Sequence, residues 1–487
     1  MKKFLVKIGL LFFGILMALS PFGVFLLVAN NQPHIYNQTY YAALVDKVHY
    51  LKSLKNEKKI VLIGGSNVAL GFNSELLEEE FPEYRVVNFG LYAMLGTKIM
   101  MDLAKDYIKT GDMVFIIPEI NSQSTSLYFN AEATLKALED DRGIIKKLPR
   151  EDRQKVYGEY FSFVSQRGKN KTTITPSGVY QRKNFNKYGD IEYLSTNEGG
   201  EVVSLRKQNQ MKPRRYIDPL VEFNKDDLSN DFIDYLNNYN RKISKKGARL
   251  YYEFSPVNNL SFKGEQQNIV DYYWHLRENL DFEVVGNPLD YLIDPHYFYD
   301  SNFHLNDSGA ILRTYQFASD IYRDILKQSK VPSFAIPEQP DYPSSETIDD
   351  ENDPVCEYCT FFETDNGYLL TGLKKEYLEK EIRLPMVYNH QYVTGISKEA
   401  FKNVSSLEEI TVPKSYTYFE NGAFDNCSSL KKIYLEQDDP SLLSVDFTGG
   451  LIDSETVHYK FYVQAKSYQN YLTDYNWQFY KNYLEVY

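Results

Sequence analysis

Cysteine is scarce, with three residues among 487, Cys356, Cys359 and Cys427, all in the last third of the chain. So few exclude a scaffold built on disulfides. The pair Cys356-x-x-Cys359 can close locally, but with no second pair and no nearby histidine it does not read as a zinc site. Its expected role is structural or incidental, and no metal or other cofactor is expected. Basic charge is also in deficit, 54 Lys and Arg against 66 Asp and Glu for a net charge of −12. A phosphate backbone needs a basic face, so a nucleic-acid partner is not expected. A long apolar run occurs once, from Ile8 to Ala29, after three lysines among the first seven residues.

Roughly 22 residues at about 1.5 Å each span about 33 Å, enough for a bilayer core. The reading is an uncleaved anchor over 1–31 and a single-pass protein of the cell membrane. The flanking lysines hold the N-terminus inside, so the main chain faces the extracellular side. A cleaved signal peptide is the competing reading, but its apolar region should be shorter and end in a small-residue cleavage site. What the chain has in plenty is tyrosine, 42 residues, which supplies packing area with hydroxyls to spare. Its length predicts two or three domains.

From residue 58 short β-branched runs alternate with helical stretches. KKIVLIGG (58–65), RVVNFG (85–90), DMVFIIPEI (112–120), ARLYYEF (248–254) and FEVVG (282–286) read as strands. Helices are expected over SELLEEEF (74–81, capped by Ser74), around 95–111, within 227–247, near 265–279 and from Asn306 to Lys327. Such alternation implies a parallel α/β sheet covered on both faces, with ligands at the carboxyl ends of its strands. A polar insertion, 125–222, carries the basic runs KKLPREDRQK and QMKPRRY and reads as a lid, a substrate platform or a solvated elaboration. Residues 329–355 concentrate Pro, Ser and acid and read as a linker.

Beyond the linker, over 356–487, the sequence repeats. ISKEAFKNVSSLEEITV (396–412) and FENGAFDNCSSLKKIYL (419–435) align without gaps at a period of 23, and LLTGLKKEYLEKEIRLP (369–385) reads as an eroded first copy. Stacked units of this size bury a core that one unit cannot. The run AFDNCSSLKKI resembles the leucine-rich repeats of the BspA-like type, with Val404 standing where its neighbour has Cys427. The tail NYLTDYNWQFYKNY looks like the cap such arrays need. The repeats are expected to dock protein, glycan or the cell wall, or simply to extend the structure.

In IVLIGGSNVALGF (60–72) a buried strand runs through Gly-Gly into Ser66, a geometry that suits a nucleophile. A Walker loop is not met, because its lysine is missing. VVNFG ends in Asn88 and Gly90, and a bare glycine N–H can approach an oxyanion. YFYDSNFHLNDSGA (297–310) places Asp300 four residues before His304. A serine needs a base to take its proton, and the histidine needs an acid to fix its tautomer. Asp300 and Asn306 can equally be turn and N-cap residues and His304 a packed imidazole. Asp294 and His296 form a second acid and histidine pair, ranked lower because they precede the YFYD turn.

GGSN (64–67), NFG (88–90) and DSNFHLN (300–306) resemble blocks I, II and V of the SGNH (GDSL-like) hydrolase and acyltransferase superfamily, over about 56–328. The resemblance implies a three-layer, flavodoxin-like parallel sheet. It makes Ser66 the nucleophile and an oxyanion donor through its own N–H, Gly90 a second donor, His304 the base and Asp300 its partner. Asn67 and Asn88 are then expected to bind substrate. The spacing from acid to histidine is one residue longer than D-x-x-H, so either Asp300 reaches by a different turn or the loop is remodelled. The block III asparagine has no clear match in IIPEINSQS, where Asn121 or Glu119 would substitute.

The membrane-anchored branch of this superfamily includes the D-alanine transfer protein of teichoic acids and the alginate acetyltransferases. Resemblance to it implies an outward-facing serine O-acyltransferase passing an acyl group, expected to be acetyl, to a cell-wall or secreted glycan. A membrane-bound O-acyltransferase partner would supply that group across the bilayer. The alternatives are an esterase using the same triad, and a non-enzymatic surface adhesin. Burial of Ser66, or its separation from His304, would favour the adhesin.

Overall fold

The computed structural model describes residues 2–30, 33–169, 174–197, 199–211, 215–217, 219–342, 352–364, 366–420, 422–445, 459–474 and 477–487. Residue 31 of the expected anchor, residues 212–214 of the second basic run, 343–351 of the linker and parts of the insertion and the tail lie outside them. An isolated helix, α1 (Lys2–Asn30), contains the apolar stretch Val6–Val24, none of it buried. By length and composition it meets the needs of a membrane span or of a signal sequence.

Five parallel strands form the first sheet: β1 (Lys59–Gly64), β2 (Arg85–Gly90), β3 (Met113–Ile117), β4 (Arg249–Tyr252) and β5 (Glu283–Val284), in the order β2-β1-β3-β4-β5. Alternate residues of each strand feed two separate cores. Val61, Ile63, Val87, Phe89, Val114 and Ile116 join one cluster with Ile99, Leu103, Phe232, Leu236 and Ile269. Ile60, Leu62, Val86, Phe115 and Tyr251 join the other with Leu77, Phe81, Phe317 and Ile321. The near-continuous apolar runs of the strands follow from this, because both faces of a parallel sheet are covered. The order reverses at β1, so a crevice opens at the carboxyl ends of β1 and β3, where doubly wound sheets bind ligands.

The helices fall close to their expected places: Ser74–Glu80, Thr97–Ala104, Asn230–Ser244, Gln266–Asn279 and Asp307–Asp320. Two details differ. The helix at Ser74 is capped by Asn73, whose side chain accepts from Leu76 N–H, while the Ser74 hydroxyl donates to Asp190. The final helix ends at Asp320 and continues as a wider π-type turn over Ile321–Ile325. The insertion packs inward: Leu135, Val156, Phe163, Val179, Tyr180 and Ile191 belong to the main core.

The C-terminal part is a stack. Glu381–Arg383, Glu409–Val412, Lys432–Leu435, Lys460–Val463 and Leu484–Val486 pair in parallel as one sheet. Ile410 sits beside Ile433 in its register, the period of 23 made structural. Consecutive copies are joined by Phe401 N–H to Ala423 O at 2.8 Å and Asn403 N–H to Asp425 O at 2.9 Å. Phe401 and Phe424 stack at 5.5 Å. Asn403 and Asn426, equivalent by the repeat, share the left-handed backbone region that asparagine tolerates. All three cysteines are buried free thiols, and burial pushes the Cys356 thiol up to about 11.

Candidate functional site

β1 delivers Gly64 and Gly65 into a short helix, Ser66–Ala69, so that Ser66 stands at the carboxyl edge of the sheet. On the far side of the chain, the stretch around Asp300 forms a β-hairpin rather than a helix start. Phe298–Ser301 pairs antiparallel with His304–Leu305, Ser301 opposite His304, and the turn holds Asn302 and Phe303. The helix begins only at Asp307, capped by Asn306, whose side chain accepts from Gly309 N–H at 2.9 Å. This hairpin lets Asp300 and His304 meet across a spacing of four residues.

The three side chains meet. Ser66 Oγ lies 2.8 Å from His304 Nε2, across 238 residues of sequence, and His304 Nδ1 lies 2.7 Å from Asp300 Oδ1. A carboxylate can only accept, so Nδ1 carries the proton and Nε2 faces the serine with its lone pair. Tyr180, from the insertion, donates to Asp300 Oδ2 at 2.6 Å and has its hydroxyl 3.0 Å from His304 Nδ1. No motif announces Tyr180, because it reaches the site from a segment without periodicity. Asp294 and His296 also pair, at 2.6 Å, but His296 stacks on Tyr342 at 3.8 Å and, among the described residues, has no hydrogen bond to a serine.

The two expected substrate-binding asparagines are structural instead. Asn67 is fully buried; its Oδ1 accepts from Gly65 N–H, and its Nδ2 donates to Ile117 O and to Ser255 Oγ, each at 3.0 Å. It clamps the ends of β1, β3 and β4 together. Asn88, equally buried, donates to Val68 O at 2.8 Å and to Asp190 Oδ1 at 2.7 Å. Its Oδ1 accepts from Gly90 N–H at 3.1 Å, so the expected second oxyanion donor is turned to an internal partner. Asp190 and Lys47 are a buried pair below this network, where burial raises the carboxyl and lowers the ammonium.

Beyond the end of β3 stand Glu119 and Asn121. Glu119, buried, accepts through Oε1 from Ser66 Oγ–H at 2.9 Å and from Asn67 N–H at 3.2 Å. Asn121, the expected third donor, directs Nδ2 to Glu119 Oε2 at 3.3 Å and accepts from Ser124 N–H at 2.8 Å. A cavity of about 340 Å³ opens here, lined by Tyr92, Met94, Glu119, Asn121, Phe303 and His304 among others. Ser66 itself is fully buried and lies behind Glu119 and His304, outside that lining. Burial and proximity therefore point in opposite directions on the test set by the sequence. Among the described residues no group of three or more His, Cys, Asp or Glu side chains is arranged to hold a metal ion.

Comparison with known proteins speaks to the stacked part. Residues 373–449 match the family described as a BspA type leucine rich repeat region (6 copies). The chain carries that repeat region. Two solved structures are similar in part: a leucine rich cell surface protein from Faecalibacterium prausnitzii A2-165, 24% identical over 22% of this chain and 27% of that one with a TM-score of 0.16, and a leucine-rich repeat protein from Bacteroides ovatus ATCC 8483, 25% identical over 18% and 23% with a TM-score of 0.16. The chain spans about a quarter of the length of each. No curated protein matches the chain. The expected repeats at 396–412 and 419–435 fall inside the matched region.

Proposed function

We propose that the protein is a membrane-anchored, extracytoplasmic serine O-acyltransferase of SGNH type, built on a flavodoxin-like sheet. The observation that carries this reading is the contact of Ser66 Oγ with His304 Nε2 at 2.8 Å, continued from Nδ1 to Asp300 at 2.7 Å. In the first half-reaction His304 takes the Ser66 proton as Oγ attacks an acyl carbonyl. The oxyanion forms beside the Asn67 N–H, and His304 returns the proton to the leaving group. In the second half-reaction a glycan hydroxyl attacks the acyl-serine while His304 takes its proton. A membrane-bound O-acyltransferase is the acyl donor and acetyl the group carried. An esterase differs only in using water for the second attack.

A non-enzymatic surface adhesin is the second reading, favoured by the complete burial of Ser66 and by the repeat region. A fluorophosphonate probe on the full chain in detergent separates the two. Labelling of wild type at Ser66, absent in Ser66→Ala and His304→Ala, supports the acyl-enzyme. Equal behaviour of the three proteins refutes it and leaves the adhesin.

A further inference from the structure

Ser66 Oγ has two partners and one proton. One neighbour is the base, His304 Nε2, at 2.8 Å, and the other is Glu119 Oε1, at 2.9 Å. A hydroxyl can donate once, so when its proton points to Glu119 it is not directed to the base. The same Glu119 oxygen accepts the Asn67 N–H at 3.2 Å, the backbone donor in the first turn after the nucleophile. One carboxylate oxygen thus stands against both the nucleophile and the amide where a developing oxyanion would be held. Gly65 makes the approach possible, since a Cβ there would lie 2.9 Å from Glu119 Oε1.

We propose that Glu119 is a specificity-determining residue that occupies the oxyanion position in the resting site, so that Ser66 reacts slowly with small esters and fastest with an acyl donor able to displace it. This rests on the acyl-enzyme reading above. Displacement is geometrically simple. Among the described residues the second carboxylate oxygen is held by one long contact, Asn121 Nδ2 at 3.3 Å, and the side chain borders the cavity of about 340 Å³. When Glu119 turns into that space, the acyl carbonyl oxygen takes its place at the Asn67 N–H. The Ser66 O–H bond then breaks toward His304, the Oγ–C bond forms, and the leaving group departs with the proton. A donor carried by a partner protein has binding energy in its remote parts to drive this, whereas a small free ester has little. Until a donor arrives, the carboxylate keeps Ser66 out of the cavity, which suits a transferase that must not waste acyl groups on water.

The test is the labelling rate of the full chain with a fluorophosphonate, and its turnover of p-nitrophenyl acetate, for wild type, Glu119→Ala, the isosteric Glu119→Gln and Ser66→Ala. Removing a hydrogen-bonded charge of this kind is expected to speed both reactions of Glu119→Ala by about tenfold. Glu119→Gln, which keeps the shape and loses the charge, is expected to fall between it and wild type. Mere structural damage would slow both reactions. If wild type is labelled at Ser66 and both Glu119 variants react at its rate or more slowly, the plug is overturned and the acyl-enzyme stands. If none is labelled, acyl-enzyme and plug fall together.

Discussion

Replacing Tyr180 by Phe removes the hydroxyl that donates to Asp300 and stands beside His304 Nδ1, and keeps the ring. The ring packs edge-on against Tyr40 at 5.4 Å, and phenylalanine keeps that contact. The hydroxyl donates to Asp300 Oδ2 at 2.6 Å, a bond to an acid whose other oxygen holds His304. A hydrogen bond to a charged group contributes about 1.5–3 kcal/mol, but the Asp300 side chain is 20% exposed and water can take part of the place. About 1 kcal/mol of hold on the acid remains at stake, which is roughly a fivefold loss in acylation rate. The thermal midpoint should fall by no more than about 2–4 °C. The assay is time-resolved labelling of Ser66 in wild type, Tyr180→Phe, Asp300→Asn and the double variant. If tyrosine acts through the acid, the second substitution adds little once Asp300 is gone. Equal rates for wild type and Tyr180→Phe, or full additivity in the double variant, refute the reasoning.

Two further outcomes follow from buried groups. Asn88→Ala strips donors from Val68 O and Asp190 and leaves Gly90 N–H unpaired inside the protein; it should destabilise by about 2–4 kcal/mol in denaturant unfolding, and an unchanged midpoint would restore a substrate-binding role. Glu80 is buried, which alone would raise its carboxyl, yet hydrogen bonds from Ser333, Tyr322 and Lys330 hold it at about 2. A depressed carboxyl stabilises above its ordinary value of 4.5 and loses that contribution as pH falls towards 2. Glu80→Gln should therefore flatten the fall of thermal stability with pH in that window, and an unaltered acid limb would count against the assignment.

The sheet was legible because its strands are apolar throughout, and both faces proved to be buried. That Ser66, His304 and Asp300 come together was legible for a different reason. Serine after a Gly-Gly turn, and acid and histidine before the last helix, all arrive at the one edge where strands of a parallel sheet end. The N-cap at Asn306 was legible as well, whereas the hairpin of Phe298–Ser301 with His304–Leu305 was not, since four residues between acid and histidine fit one helical turn and also a tight hairpin. Asn67 and Asn88 were misassigned because a polar residue near a nucleophile looks free in sequence, whereas here each amide ties strand ends together. Tyr180 and Asp190 were beyond reach, as an aperiodic insertion gives no hint of which residues turn inward.

The repeat region is seated on the α/β part close to the acid of the triad. Ser177 Oγ donates to Asp439 at 2.6 Å, and Lys481 pairs with Glu132 at 3.2 Å. Gly178, at a φ of +65°, lies where a Cβ would come within 2.3 Å of Ser441 Oγ, so the two surfaces meet without side-chain spacing. Between them a cavity of about 300 Å³ is lined by Tyr193, Tyr299 and Asp300 on one wall and Thr417, Leu442 and Ser444 on the other. Residues 177–180 thus touch the repeats at Ser177 and Gly178 and the triad at Tyr180. Held here, the array ties the segment carrying Tyr180 to the side chain of Asp300, so a substitution at the repeat contact is expected to reach the cluster of Ser66, His304 and Asp300.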